Sequence, residues 1–185
     1  VLSGIISMTS IHDLKNNFHC AMHGGGAYRG LRQSNTKEAI LYWYARGVRV
    51  FEVDMAHTDD NDYVAVAHHL DQKDLRRLEI FDYPDQKTKT WFMNQRLFTI
   101  STNKGLTPLS LENIVDLLAK FEDLIIMFDL YGLFSMEEAG HFTAKLSSFI
   151  DNQRLWNRCL LEAYNMDMVD GIKRYSQDAN IIYCV

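Results

Sequence analysis

Leu124-Ile125-Ile126-Met127-Phe128-Asp129 is a run of five apolar residues closed by an acid, and its reading decides the fold. A strand that is apolar on both faces needs cover on both. That is the habit of a parallel sheet flanked by helices, whereas an antiparallel sheet with one wet face alternates. Helical signals stand on either side. Upstream, Ser110 is placed to cap a helix in which Leu111, Ile114, Val115 and Leu118 follow helical spacing. Downstream, a helix from about Met136 to Ile150 carries Ala139, Phe142, Leu146 and Phe149 on one side.

Further out the alternation continues. Strand-like runs occur at Phe18–His23, Arg49–Asp54, Val64–His68, Cys159–Tyr164 and Asn180–Cys184, with a short helix between the last two. Asn35 and Glu38 read as a capping-box pair opening a helix through Arg46 that Gly47 ends. Six β/α-type units in series predict an α/β fold, a (β/α)8 TIM-barrel-like sheet of parallel strands with helical crossovers. An eight-unit barrel takes ~250 residues, so residues 1–185 are expected to form a single domain with a truncated or incomplete barrel. The strands near Cys20 and Ile182 would then have open edges, to be covered by a homo-oligomer partner or a missing C-terminal segment. Leu70 to Leu106 shows no clean period and reads as a functional loop or small insertion.

Composition narrows the function. The 185 residues are 47% hydrophobic, enough for a well-buried core, and carry a formal charge of −5 with no basic block. That argues against nucleic acid or an anionic membrane surface as a partner. No apolar stretch reaches the ~20 residues of a transmembrane segment. Cys20, Cys159 and Cys184 are odd in number and far apart, which fits buried free thiols and neither a disulfide framework nor a zinc signature. The sequence leaves the compartment open.

Glu52 and Asp54 lie two apart in the strand-like Val50-Phe51-Glu52-Val53-Asp54, so both carboxylates project from one face. Two neighbouring acids in an apolar strand repel each other and lose hydration, a combination that calls for a cation. Asp129 closes a different strand at its C-terminal end, where parallel β/α folds bind ligands. Three carboxylates from strand ends suit one hard divalent cation, Mg²⁺ or Ca²⁺. His23 and His68 also end strand-like runs and are candidates for proton transfer; His69 alternates to the opposite face and reads as structural. His23-Gly24-Gly25-Gly26 also matches the oxyanion-hole tetrad of lipases, but no Gly-x-Ser-x-Gly elbow accompanies it here. Glu162, mid-strand, is left without a role.

Taken in order, these pieces resemble the glycerophosphodiester phosphodiesterase family of the phosphatidylinositol-phospholipase-C-like superfamily. The matching segments are His23-Gly24-Gly25, Asn35-Thr36 with Glu38-Ala39, Gly47 through Glu52, Asp54 and Thr58, then His68, then Pro108-Leu109-Ser110-Leu111-Glu112. The resemblance implies a metal-dependent phosphodiesterase acting on a small glycerophosphodiester or a related alcohol or lipid phosphodiester. Glu52, Asp54 and Asp129 would hold the metal, and His23 and His68 would share acid and base roles through a cyclic phosphate. Departures are visible too. Gly24 stands where the family has Arg, Tyr131 where it has Lys, and His69 where it has Asp. Arg29 is the candidate to restore one phosphate contact. A phosphodiesterase-like binding domain impaired in catalysis is the alternative.

Overall fold

The computed structural model describes residues 21–66, 69–78, 80, 82–95, 97, 105–150 and 153–184. Among them a five-stranded sheet is built from β1 (Val50–His57), β2 (Tyr63–Ala65), β3 (Ile125–Asp129), β4 (Cys159–Ala163) and β5 (Asn180–Tyr183). The strands lie in the order β2-β1-β3-β4-β5. β1 pairs with β3, β3 with β4 and β4 with β5, all in parallel. On the other side of β1, Met22 adds a parallel bridge to Phe51, with its N–H donating to Val50 O at 2.9 Å and its carbonyl accepting from Glu52 N at 3.0 Å. The remainder of the expected Phe18–His23 strand lies outside the described residues.

One expectation is corrected. The run after Asp62 is not a parallel β/α unit, because β2 pairs antiparallel to β1, with Met55 opposite Ala65 and His57 opposite Tyr63. The connection is a tight turn in which Thr58 N donates to Asp62 O at 2.9 Å and Asp62 N donates to Thr58 Oγ1 at 3.0 Å. A parallel return would need a crossover of about a dozen residues or more. The described sheet is therefore mixed at this edge, and five of its strands are seen where six β/α units were expected.

Register sorts the side chains onto two faces. Phe51, Val53, Ile126, Phe128, Cys159 and Leu161 are buried in the main core with the helices. Val50, Ile125 and Leu160 form a small separate cluster on the opposite face, with Met127 and Ile182 packed against it. The helices are α1 (Lys37–Tyr44), α2 (Gln72–Arg77), α3 (Lys89–Met93), α4 (Leu111–Lys120), α5 (Met136–Phe149), α6 (Gln153–Trp156) and α7 (Met166–Tyr175). α4 begins in a capping box between Ser110 and Asn113, and its Leu111, Ile114, Val115 and Leu118 are buried as their spacing predicts. α5 begins in a second capping box, Ser135 with Glu138.

The proposed Asn35–Glu38 capping box does not form. Thr36 is the N-cap residue, without a side-chain cap, and the Glu38 carboxylate accepts instead from Thr107 N at 2.9 Å and Thr107 Oγ1 at 2.6 Å. Tying α1 to the start of the Pro108 segment outweighs a local cap. Arg158, 2% exposed, donates to the carbonyls of Leu118 and Phe121 at 2.7 Å each and of Leu124 at 3.3 Å. It thus serves Leu118 O, which the end of α4 leaves without a helical partner, and two carbonyls of the turn that follows. Among the described residues between Leu70 and Leu106, Leu70, Leu75, Leu78, Ile80, Phe92, Leu97 and Leu106 gather in a second cluster with Ala56, Val64 and Val66. Cys159 is buried with its thiol pushed up to about 12 by burial, Cys184 is half-buried, and both are free. Cys20 lies outside the described residues. No helix among the described residues is long and apolar enough to cross a membrane.

Candidate active site

The parallel register puts Asp54 directly beside Asp129 and Glu52 beside Met127. Both acids of β1 therefore share a face with Val50, with Asp54 at the last parallel pair and opposite Asp129, the final residue of β3. Asp54 is fully buried, Asp129 is 6% exposed and Glu162 is 8% exposed. His23 begins a short 3-10 turn directly after Met22, so the bridge to β1 fixes where its imidazole starts. Its Nε2 lies 3.6 Å from Glu52 Oε1. Among the described residues, the ligand atoms of His23, Glu52 and Asp54 all fall within 4.8 Å of one another.

Asp129 is not part of that closest trio. Its Oδ1 accepts from Tyr131 N at 2.8 Å and from the Tyr164 hydroxyl at 2.7 Å. Glu162, which sequence reasoning set aside, belongs to the same neighbourhood: Tyr164 Oη is 3.1 Å from its Oε2. The sequence run Cys159–Tyr164 puts Glu162 mid-strand, whereas in the structure it is the last but one residue of β4. Burial raises the Glu52 carboxyl to about 8, reinforced by the charges of Asp54, Glu162 and Asp129. Burial and Asp129 raise Glu162 as well, and burial with the hydrogen bond to Asp129 raises the Tyr164 phenol. A protonated Glu162 can donate to Tyr164, which in turn donates to Asp129.

Asn35 is another residue missed. Buried, with φ +45, it donates from its amide to Asp54 Oδ2 at 2.7 Å and accepts from Asp54 N at 3.2 Å through its side-chain carbonyl. The glycine run explains how Asn35 gets there. Residues 33–35 fold back onto residues 24–26, with Asn35 N donating to Gly24 O at 2.9 Å and Ser34 N to Gly26 O at 3.3 Å. A Cβ on Gly25 would stand 3.0 Å from Asn35 Cα, and one on Gly26 would stand 2.7 Å from the Trp43 ring. All three glycines adopt positive φ, open to them at no side-chain cost.

The other candidates are placed as follows. His68 lies outside the described residues; Val66, two positions earlier, donates from its N–H to Asp54 O at 3.1 Å. His69 is exposed, with its ring 6.4 Å from that of Tyr131. Arg29 sits in the turn after the glycines with φ +47, its guanidinium carbon 5.4 Å from the centre of the Tyr28 ring.

Parallel strands joined through helices, with acids and a histidine on one face, are the frame of a β/α barrel. Solved structures share it. The chain superposes on an Oleispira antarctica phosphodiesterase in complex with the product sn-glycerol-3-phosphate with a TM-score of 0.69 and 15% identity, covering 89% of this chain and 65% of that one. A Silicibacter pomeroyi protein assigned to the glycerophosphoryl diester phosphodiesterases gives 0.68 and 18%, covering 88% and 63%. A glycerophosphodiester phosphodiesterase from Agrobacterium tumefaciens gives 0.64 and 14%, covering 87% and 64%. No family model matches the chain, and neither does any curated protein. The fold is that of the glycerophosphodiester phosphodiesterase barrels, and the chain spans slightly less than two thirds of the length of these structures.

Proposed function

We propose that residues 1–185 act as one domain of a metal-dependent phosphodiester hydrolase, cleaving a glycerophosphodiester or a related alcohol or lipid phosphodiester. The observation that carries this reading is the convergence of His23, Glu52 and Asp54, whose ligand atoms lie within 4.8 Å of one another. The residues present fit a divalent cation. Glu52 Oε1 is buried without a hydrogen-bond partner, in a setting where neighbouring carboxylates work against its ionisation. Glu52, Asp54 and Asp129 would hold the ion, all three supplying the oxygen that Mg²⁺ or Ca²⁺ prefers.

Held there, such a cation would supply positive charge to offset that of a phosphoryl oxygen. The rest falls to the chain. Asn35 keeps the Asp54 carboxylate turned to the site. His23, more than half exposed beside Glu52, is open to an incoming substrate. His23 and His68 would exchange protons with it, one taking the proton of the hydroxyl adjacent to the phosphate and the other protonating the departing alkoxide. Attack by that hydroxyl forms a new P–O bond as the P–O bond to the leaving alcohol breaks, giving a cyclic phosphate. Arg29 would contact the phosphate from the glycine loop.

A second reading, a phosphodiesterase-like binding domain without turnover, draws on Gly24 and Tyr131, which put no cation where the family has Arg and Lys. Assay of a panel of glycerophosphodiesters with Mg²⁺ or Ca²⁺, with and without chelator, separates the two. Cation-dependent release of the alcohol supports the hydrolase; saturable binding without release supports the second reading.

A further inference from the structure

Gly24 and Gln33 compete for one volume. A Cβ built on Gly24 would lie 2.6 Å from Gln33 Cβ and 2.8 Å from its Cγ, both far inside contact distance. The backbone fixes this opposition, because the carbonyls of Gly24 and Gly26 accept from the N–H groups of Asn35 and Ser34, the two residues that follow Gln33. The short turn between the two arms is closed by reciprocal bonds between Tyr28 and Leu31, at 2.9 and 3.1 Å. The Gln33 side chain thus occupies the space that a side chain at position 24 would need. From there its Nε2 comes to 2.8 Å from His23 Nε2.

We propose that Gln33 is the positioning residue for His23: it takes the place of a side chain at position 24 and holds the imidazole with Nε2 as acceptor and the proton on Nδ1. An amide N–H can only donate, so the ring nitrogen it meets must offer its lone pair. Glu52 Oε1, 3.6 Å from the same Nε2, can only accept while ionised and would favour the opposite tautomer. Gln33 decides between them because it is nearer and within hydrogen-bond distance. The consequence for chemistry rests on the hydrolase reading above. With its lone pair on Nε2, His23 is prepared to receive a proton, so it takes the base role and leaves the acid role to the second histidine. A substrate hydroxyl would replace the Gln33 N–H at that lone pair.

The test reads the tautomer directly, by ¹⁵N-resolved NMR of the His23 ring at pH 8 in the cation-free protein. The wild type is expected to show Nδ1–H. Gln33→Met keeps the packing over Gly24 but has no donor, and is expected to lose the preference; Gln33→Glu substitutes an acceptor, and is expected to move the proton to Nε2. A merely structural role would leave the ring signals of all three proteins alike. Nε2–H in the wild type, or an unchanged tautomer in Gln33→Met, overturns the proposal. In turnover, misplacing a reacting group costs up to ~10²-fold, so Gln33→Met should lower kcat on that scale with little change in KM. The NMR arm does not depend on turnover. A chain with the expected tautomers and no hydrolysis defeats the hydrolase reading and leaves the positioning role standing.

Discussion

Asn35 and Asp54 hold each other at two points. The Asn35 amide donates to Asp54 Oδ2 at 2.7 Å while its carbonyl oxygen accepts from Asp54 N at 3.2 Å, with both residues buried. One side chain thus fixes both the backbone and the carboxylate of the most buried acid in the site. Through its own N–H to Gly24 O, Asn35 also ties the glycine loop to the sheet. Asn also suits the left-handed backbone, φ +45, at this position.

Asn35→Ala should therefore be costly. Loss of a hydrogen bond to a charged group typically costs about 1.5–3 kcal/mol, and Asp54 would be left with less support in the interior. The measurement is urea unfolding of the cation-free protein. A midpoint equal to that of the wild type would contradict the role assigned to Asn35.

Glu52 makes the pH dependence unusual. Its carboxyl is raised from 4.5 to about 8, so between those values the folded protein keeps a proton that the unfolded chain has released. The unfolded state then binds fewer protons, and stability falls as pH rises from about 4.5 to 8 and levels off above. Glu162 is shifted in the same direction and adds to the fall. A divalent cation needs the ionised form, so its affinity should climb over the same window, with a proton released on binding below pH 8. Calorimetry at pH 6 and 8.5 should give tighter Mg²⁺ or Ca²⁺ binding at the higher pH, largely lost in Asp54→Asn. Equal affinities in wild type and Asp54→Asn would remove the metal assignment.

Sequence periodicity made much of this framework legible. Ser110 and the spacing of Leu111, Ile114, Val115 and Leu118 located α4, and the apolar run ending in Asp129 located a strand covered on both faces. Two features stayed hidden for physical reasons. The three-residue β2 is buried throughout, so it has no alternation to reveal its face, and its direction is set by the length of the Thr58–Asp62 turn. The partners of Asn35, Glu38 and Gln33 lie respectively 19, 69 and 10 residues away, and no local pattern encodes a contact at that range. Glu38 looked like a cap because the Asn35 spacing matches one, and a tertiary bond to Thr107 took precedence.

The α5–α7 contact should tolerate no added volume. A Cβ on Gly171 would stand 2.1 Å from Met136 O, a backbone atom that cannot move without shifting the first turn of α5. Overpacking typically costs about 1–3 kcal/mol, and Gly171→Ala is expected at or above the upper end. Thermal or urea unfolding checks this, and a variant as stable as the wild type would place the two helices farther apart than described here.

The two histidines proposed for proton transfer should be separable from their neighbour. General acid–base catalysis contributes ~10²–10⁴-fold, so His23→Ala and His68→Ala should each lose turnover on that scale. His69→Ala, at an exposed position near Tyr131, should change the rate only modestly. An inactive His69→Ala with an active His68→Ala would exchange their roles.

The central claim is that a cation at Glu52 and Asp54 and a proton acceptor at His23 together cleave a phosphodiester. It is tested most directly by steady-state release of the alcohol from glycerophosphodiesters, with Mg²⁺ or Ca²⁺ and with chelator, in the wild type, Asp54→Asn and His23→Ala. The account predicts cation-dependent turnover in the wild type, abolished by chelator and by Asp54→Asn and reduced ~10²-fold or more by His23→Ala. Turnover indifferent to the cation and to both substitutions, or none in the wild type with any diester of the panel, would contradict it.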